Sequence, residues 1–300
     1  MLFRSKDRGM NGLSRTLCLF GAFILGFLFS ELGEFSFLIQ YIVIFVLFLA
    51  YLTMPLEGNP LTRIHFYILG INLLLGFVPF FVLRPWSSEL ALSAFMVGIT
   101  PTAIAAPVIM ALIKRNVAFA ATSTLLTNTV MAFVIPLCLP MLAGQDIPIN
   151  LIHITSRTFL VLLGPLVVAF GIRFFMPRLA LQISKVGRYA FFIWIWAIIL
   201  AVASATNYLK TQNEVTSTQL LFVAMISLLL CAFGYALGYL LGGKRFNLEA
   251  SSALGQKHAM LTIWISLSYL NPFIAMGPTF YILFHHIMNG WLIIRHSGKK

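Results

Sequence analysis

Apolar residues run in ten long blocks along the chain, at about 15–30, 35–54, 64–83, 89–113, 117–142, 151–175, 187–208, 218–242, 249–270 and 273–294. Spacing inside the blocks is helical or featureless, and the alternation of a half-buried strand is absent. A bilayer-crossing helix needs about 20 apolar residues. Lipid admits only helices or a closed barrel, and blocks this continuous exclude the barrel. The pattern therefore predicts an all-α integral membrane protein with ten transmembrane helices. Breaks between blocks are turn-like: Glu31–Glu34, Pro55–Pro60, Arg84–Trp86, Gly144–Pro148, Lys210–Glu214 and Gly242–Asn247. No loop is long enough to fold as a separate domain.

The first block follows Arg4, Lys6, Arg8 and Arg15, as in a signal peptide. Ser30 and Glu31 make no small-residue cleavage site, and more blocks follow, so it reads as a retained first span. Hydrophobic side chains make up 60% of the 300 residues and charged ones 9%, with a mean hydropathy of +0.95. Soluble chains average about 25% charged. This excludes a soluble enzyme, a nucleic-acid-binding domain and a disordered chain. The net charge of +12 is distributed between the blocks. With a cytoplasmic N-terminus, 16 of the 20 basic residues fall inside and two, Arg84 and Lys210, outside. Arg157 and Lys257 fall within spans. That split predicts an even number of spans with both termini cytoplasmic, in a plasma (inner) membrane. Cys18, Cys138 and Cys231 sit in apolar blocks and read as small core residues.

Two spans are irregular. The fourth reads Gly98-Ile-Thr-Pro101-Thr-Ala-Ile-Ala-Ala-Pro107, and two prolines remove two backbone donors. The ninth places Gln256, Lys257 and His258 in succession. Each is the fourth span of a five-span half, and Pro107 and Lys257 lie 150 residues apart. Five is odd, so the second half is expected to be inverted: repeats at 1–145 and 146–300. Interrupted helices at matching positions of inverted halves point to a transporter's binding site.

The eight acidic residues all lie at span ends or in loops. Cation coupling usually uses a carboxylate at depth, so a sodium site would rest on hydroxyls and carbonyls alone. Lys257 costs roughly 3 kcal/mol or more to insert. Its roles are a counter-ion for an anion, a replacement for a bound cation, or a proton carrier; snorkelling to the interface is the bland alternative. His258 is a proton or substrate ligand, or a donor to a neighbouring carbonyl. Half-helices starting near Ala105 and Ala259 direct partial positive charge to the midplane. Thr100 and Thr102 add hydroxyls there, or cap exposed backbone. Gln256 is suited to freed backbone groups. Thr124, Thr127 and Asn128 share one face of span five, which should look into the bundle, with polar glue between helices as the bland reading, and Asn72 is similar. His285 and His286 are adjacent on span ten, about 100° apart, which argues against a joint metal site. No nucleotide or metalloprotease motif occurs.

The stretch Gly98-Ile-Thr-Pro101, then Lys114-Arg115-Asn116-Val117-Ala118 and Thr124, resembles the span-four-to-five signature of the bile acid:sodium symporter superfamily. Glu249-Ala250, Met260, Phe284-His285 and Asn289-Gly290 extend the likeness. The resemblance implies ten helices in a panel and a core domain, crossing broken helices four and nine, and sodium-coupled transport of organic anions. It also puts Lys257 at the family's acidic sodium ligand and Leu261 at the neighbouring glutamine. Ala106 and Pro107 fall on its Ser-Asn pair, and Leu74 falls near the glutamine of span three. Only Thr124 clearly remains of the ligand side chains, so both sodium sites look dismantled.

The expectation is therefore a secondary carrier, not an enzyme, for a small or amphipathic organic anion, working by alternating access in the bilayer without sodium. No cofactor, metal, nucleotide or nucleic acid enters this reading. Thr100, Thr102, Ala105, Lys257, His258, Ala259 and His285 are the expected substrate site. Lys257, Thr124, Asn128 and Gln256 are expected to couple or replace an ion. Competing readings are an ordinary sodium symporter, a membrane-embedded enzyme using histidines, and a sensor.

Overall fold

A computed structural model describes residues 12–54, 61–144, 150–211 and 216–297. The basic residues Arg4, Lys6, Arg8, Lys299 and Lys300, and the turns at 55–60 and 145–149, lie outside the described residues. Twelve α-helices follow in order among those described. They are α1 (Gly12–Leu28), α2 (Leu38–Thr53), α3 (Arg63–Leu83), α4 (Ser88–Ile99), α5 (Ala105–Leu112) and α6 (Val117–Ala143), then α7 (Leu151–Phe175), α8 (Pro177–Ser184), α9 (Ala190–Thr211), α10 (Ser217–Gly255), α11 (Ala259–Tyr269) and α12 (Pro272–Ser297). Short 3₁₀ turns at Ser30–Phe37 and Lys185–Tyr189 lead into α2 and α9. No strand occurs among the described residues.

Six helical stretches are long and apolar enough to cross a membrane, among them Arg63–Leu83, Val117–Ala143 and Leu151–Phe175. Large apolar side chains such as Phe27, Phe81, Phe174 and Leu240 stand on the outer surface. A water-soluble protein does not expose apolar surface on this scale. The chain is a membrane-embedded all-α protein.

Each apolar block of the sequence lies in helix, and two blocks are divided. The fourth is split into α4 and α5 by residues 100–104, and the ninth into the end of α10 and α11 by residues 256–258. Pro101 lies in the first break. Pro107 does not: it is the third residue of α5, where a missing amide hydrogen costs nothing. One proline breaks the block, not two. Within α10, Gly243 takes a left-handed φ of 53° and Phe246 is non-helical, which turns the chain between the eighth and ninth blocks.

Helices α1, α2, α7 and α9 pack on one another, α2 against α7 and α9, and α1 against α9. Helices α3, α4, α10, α11 and α12 form the second group, with α5 and α6 joined to it. Glycine sets the closest approach in that group. At Gly98 a Cβ would sit 1.8 Å from the Leu75 carbonyl oxygen, so α3 and α4 touch through bare backbone.

Candidate crossing and cavity

The two breaks meet. Thr102 and Lys257 form an antiparallel bridge. Ala103 N–H donates to the Gln256 carbonyl at 2.8 Å, and His258 N–H donates to the Pro101 carbonyl at 2.8 Å. A broken helix strands backbone groups that lipid cannot satisfy, and here each break supplies partners for the other.

Side chains complete the accounting. At the C-terminal end of α4, Lys257 Nζ donates to the Gly98 carbonyl at 2.9 Å and also to Asn72 Oδ1. Asn72 Nδ2 in turn donates to the carbonyls of Ile99, at 3.3 Å, and Thr100, at 3.2 Å. Asn128 Nδ2 donates to the Thr102 carbonyl at 3.0 Å. On the other break, Thr102 Oγ1 donates to the Ala253 carbonyl at 2.6 Å and Tyr281 Oη to the Gly255 carbonyl at 2.6 Å. The carbonyls of Gly98 to Ala103 thus all face a protein donor; Thr124 Oγ1, at 3.4 Å, and Ala106 N–H serve that of Ala103.

Lys257 is 2% exposed, and both its acceptors are neutral. Its ammonium rests on the negative end of α4, where aligned peptide dipoles leave about half an elementary charge. It points toward α3 and α4, not into open space. Asn72 is 2% exposed and faces this point, whereas Leu74, the position aligned above with the family's glutamine, is 58% exposed on the outer surface.

On the other side of the crossing lies a cavity of about 360 Å³. Its walls are Val46, Leu49, Ala50 and Thr53 of α2 with Met54 just beyond it, Phe191 and Trp194 of α9, the starts of α5 and α11, and His285, His286 and Asn289 of α12. It runs from the crossing to the C-terminal ends of α2 and α12. Ala105, His258 and Ala259 line it, and neither α5 nor α11 carries a side-chain cap. Both half-helices therefore present uncapped N-termini to an apolar cavity, an arrangement that attracts an anion. His258 Nδ1 and His285 Nδ1 are buried without a hydrogen-bond partner.

The expected site residues separate into two groups. Ala105, Lys257, His258, Ala259 and His285 all border the cavity, while the Lys257 ammonium is bonded to Asn72 and Gly98. Thr100 and Thr102 do not. Thr100 Oγ1 donates to the Met96 carbonyl at 2.5 Å and bonds Thr262 Oγ1 at 2.9 Å, so both threonines serve backbone. Thr124, Asn128 and Gln256 lie behind the crossing. Gln256 Nε2 donates to Ser252 Oγ at 2.5 Å, while Gln256 Oε1 and Asn128 Oδ1 are buried and unpartnered. Two cavity features were not expected from the sequence: Trp194, and the closeness of the adjacent rings of His285 and His286, whose centroids are 4.3 Å apart. No protein-family model matches the chain, and no curated protein is significantly similar to it.

Proposed function

We propose that this protein is a secondary carrier of the bile acid:sodium symporter type, moving an amphipathic organic anion by alternating access without sodium. It has ten spans, two inverted halves at 1–145 and 146–300, and cytoplasmic termini. The observation that carries the reading is the Lys257 ammonium tied between Asn72 and the end of α4, at a crossing of broken helices beside an apolar cavity. A tethered cation does there what a bound metal ion would do: it neutralises a helix C-terminus. The anion's charge sits at the uncapped starts of α5 and α11, and its apolar body against α2 and α9.

One observation favours a sodium-coupled carrier instead. The unpartnered Asn128 Oδ1 and Gln256 Oε1 are hard oxygen ligands at the crossing. Melting of the purified protein in sodium against choline, at matched ionic strength, separates the two. A bound ion at 100 times its Kd stabilises by about 2.7 kcal/mol. No difference is expected, and in Lys257→Ala transport is lost or becomes cation-dependent. A saturable rise in sodium, or undiminished transport by Lys257→Ala in sodium-free buffer, overturns the tethered-cation reading.

A further inference from the structure

Among the described residues, Lys257 is the one cation bordering the cavity, and it spends its ammonium on α3 and α4; no described carboxylate or arginine lines the space. An anion moved into this apolar space needs a compensating charge, because an unpaired buried charge is costly. His285 and His286 are placed to supply it. Both line the cavity. His286 Nδ1 lies 2.9 Å from the Ile282 carbonyl, which assigns that nitrogen its proton and leaves Nε2 as the acceptor. The His286 ring stacks on Trp194 at 4.9 Å. His285 is 4% exposed, with Nδ1 unpartnered.

We propose that His285 and His286 form a proton-binding site, so that the anion and one proton occupy the cavity together. The proposal rests on the carrier reading and adds the coupling ion to it. The proton comes from water on the side to which the cavity opens, binds one imidazole nitrogen as the carboxylate arrives, and leaves with it on the other side. Neither charge enters alone. His258 is the poorer site, because it begins α11, where the helix end is already positive.

The surroundings of the pair are accounted for element by element. Helix α10 presents Tyr235, whose hydroxyl donates to Asn289 Oδ1 at 2.9 Å, and Cys231. Helix α12 presents Tyr281, with its ring 5.6 Å from that of His285. The break presents His258, with Lys257 turned away. The lining from α2, α5, α9 and α11 is uncharged. Helices α4 and α1 meet α12 nearer its start, through Ser93 and Val97 and through Phe23 and Phe27.

The test uses the full chain in detergent with 2-naphthoate, a flat aromatic carboxylate, and 2-naphthalenemethanol, its neutral counterpart, between pH 5.5 and 8. Binding of naphthoate is expected to take up as much as one proton from weakly buffered solution, and its Kd to tighten by about tenfold per pH unit lowered. The neutral counterpart brings no proton. His285→Gln combined with His286→Gln removes the uptake and the pH dependence. Saturable naphthoate binding without proton uptake overturns the proposal and leaves the carrier standing, as does equal uptake in the double variant. Absence of saturable naphthoate binding at every pH overturns both. The comparison of the two ligands on the unaltered protein needs no variant to fold.

Discussion

Asn72 and Lys257 are 185 residues apart in sequence and joined in space. Asn72 accepts from the ammonium and donates to two carbonyls that end α4, so it holds the cation and the helix end in one geometry. Asn72→Ala leaves those groups unserved. Its expected cost is about 1–3 kcal/mol, read as a lowered melting temperature in detergent. Asn72→Leu with Lys257→Met removes the buried ammonium and its acceptor together and should cost less than the two single variants summed, although the carbonyls of Gly98, Ile99 and Thr100 still lose their donors. A double variant as unstable as the sum of the singles would show that the two do not act as a unit. The sequence announces half of this pair. A lysine inside an apolar block is conspicuous on cost alone, whereas an asparagine in a span looks like ordinary interhelical glue. Nothing local links position 72 to position 257. The direction of the lysine side chain depends on that partner, which is why the ammonium, expected among the substrate ligands, faces away from the cavity.

The helices and their interruptions were legible because their causes are local. Block length gives the helix, and Pro101 and the Gln256-Lys257-His258 run give the breaks. The position of the break was less so: Pro107 carries the same residue-level signal as Pro101, but a helix that restarts at Ala105 absorbs it in its first turn. Packing between elements was not legible, because it depends on which small residues meet. Gly98 is the clearest case. Its hydrogen lies where a methyl group would strike the backbone of Leu75 and Gly76, at 1.8 to 2.6 Å. Gly98→Ala forces α4 from α3 and moves the carbonyl that receives Lys257. Overpacking typically costs about 1–3 kcal/mol. The expected result is a lower melting temperature together with lost transport. Gly70→Ala, on the facing helix α3 with open space around it, is the control and should be near neutral. Equal behaviour of the two variants would remove the close-approach argument.

The cavity touches both helix groups: α2 and α9 on one side, α5, α11 and α12 on the other. On the proposed alternating-access reading, rocking of one group against the other closes the end lined by Met54 and Ile293 and opens the opposite one. This gives a labelling prediction in vesicles of defined orientation, with Cys18, Cys138 and Cys231 replaced by alanine. Ile293→Cys, near the C-terminal end of α12, should react with an impermeant maleimide from the cytoplasmic side alone. Met260→Cys, at the crossing, should react from either side if the proposed alternating access operates. Reaction of Met260→Cys from one side only would mark a fixed cleft and overturn alternating access. Reaction of Ile293→Cys only from the outside would invert the orientation drawn from the basic residues.

The crossing itself is fastened first by main-chain groups: the amide of Ala103 on Gln256, and that of His258 on Pro101. Every residue except proline brings the same amide. Mutation of the cavity wall therefore leaves these fastenings in place, and the lining at α2, α9 and α12 can be rewritten one residue at a time without rebuilding the joint. On the proposed carrier reading, a lineage with this joint can change what it carries far more cheaply than how it moves.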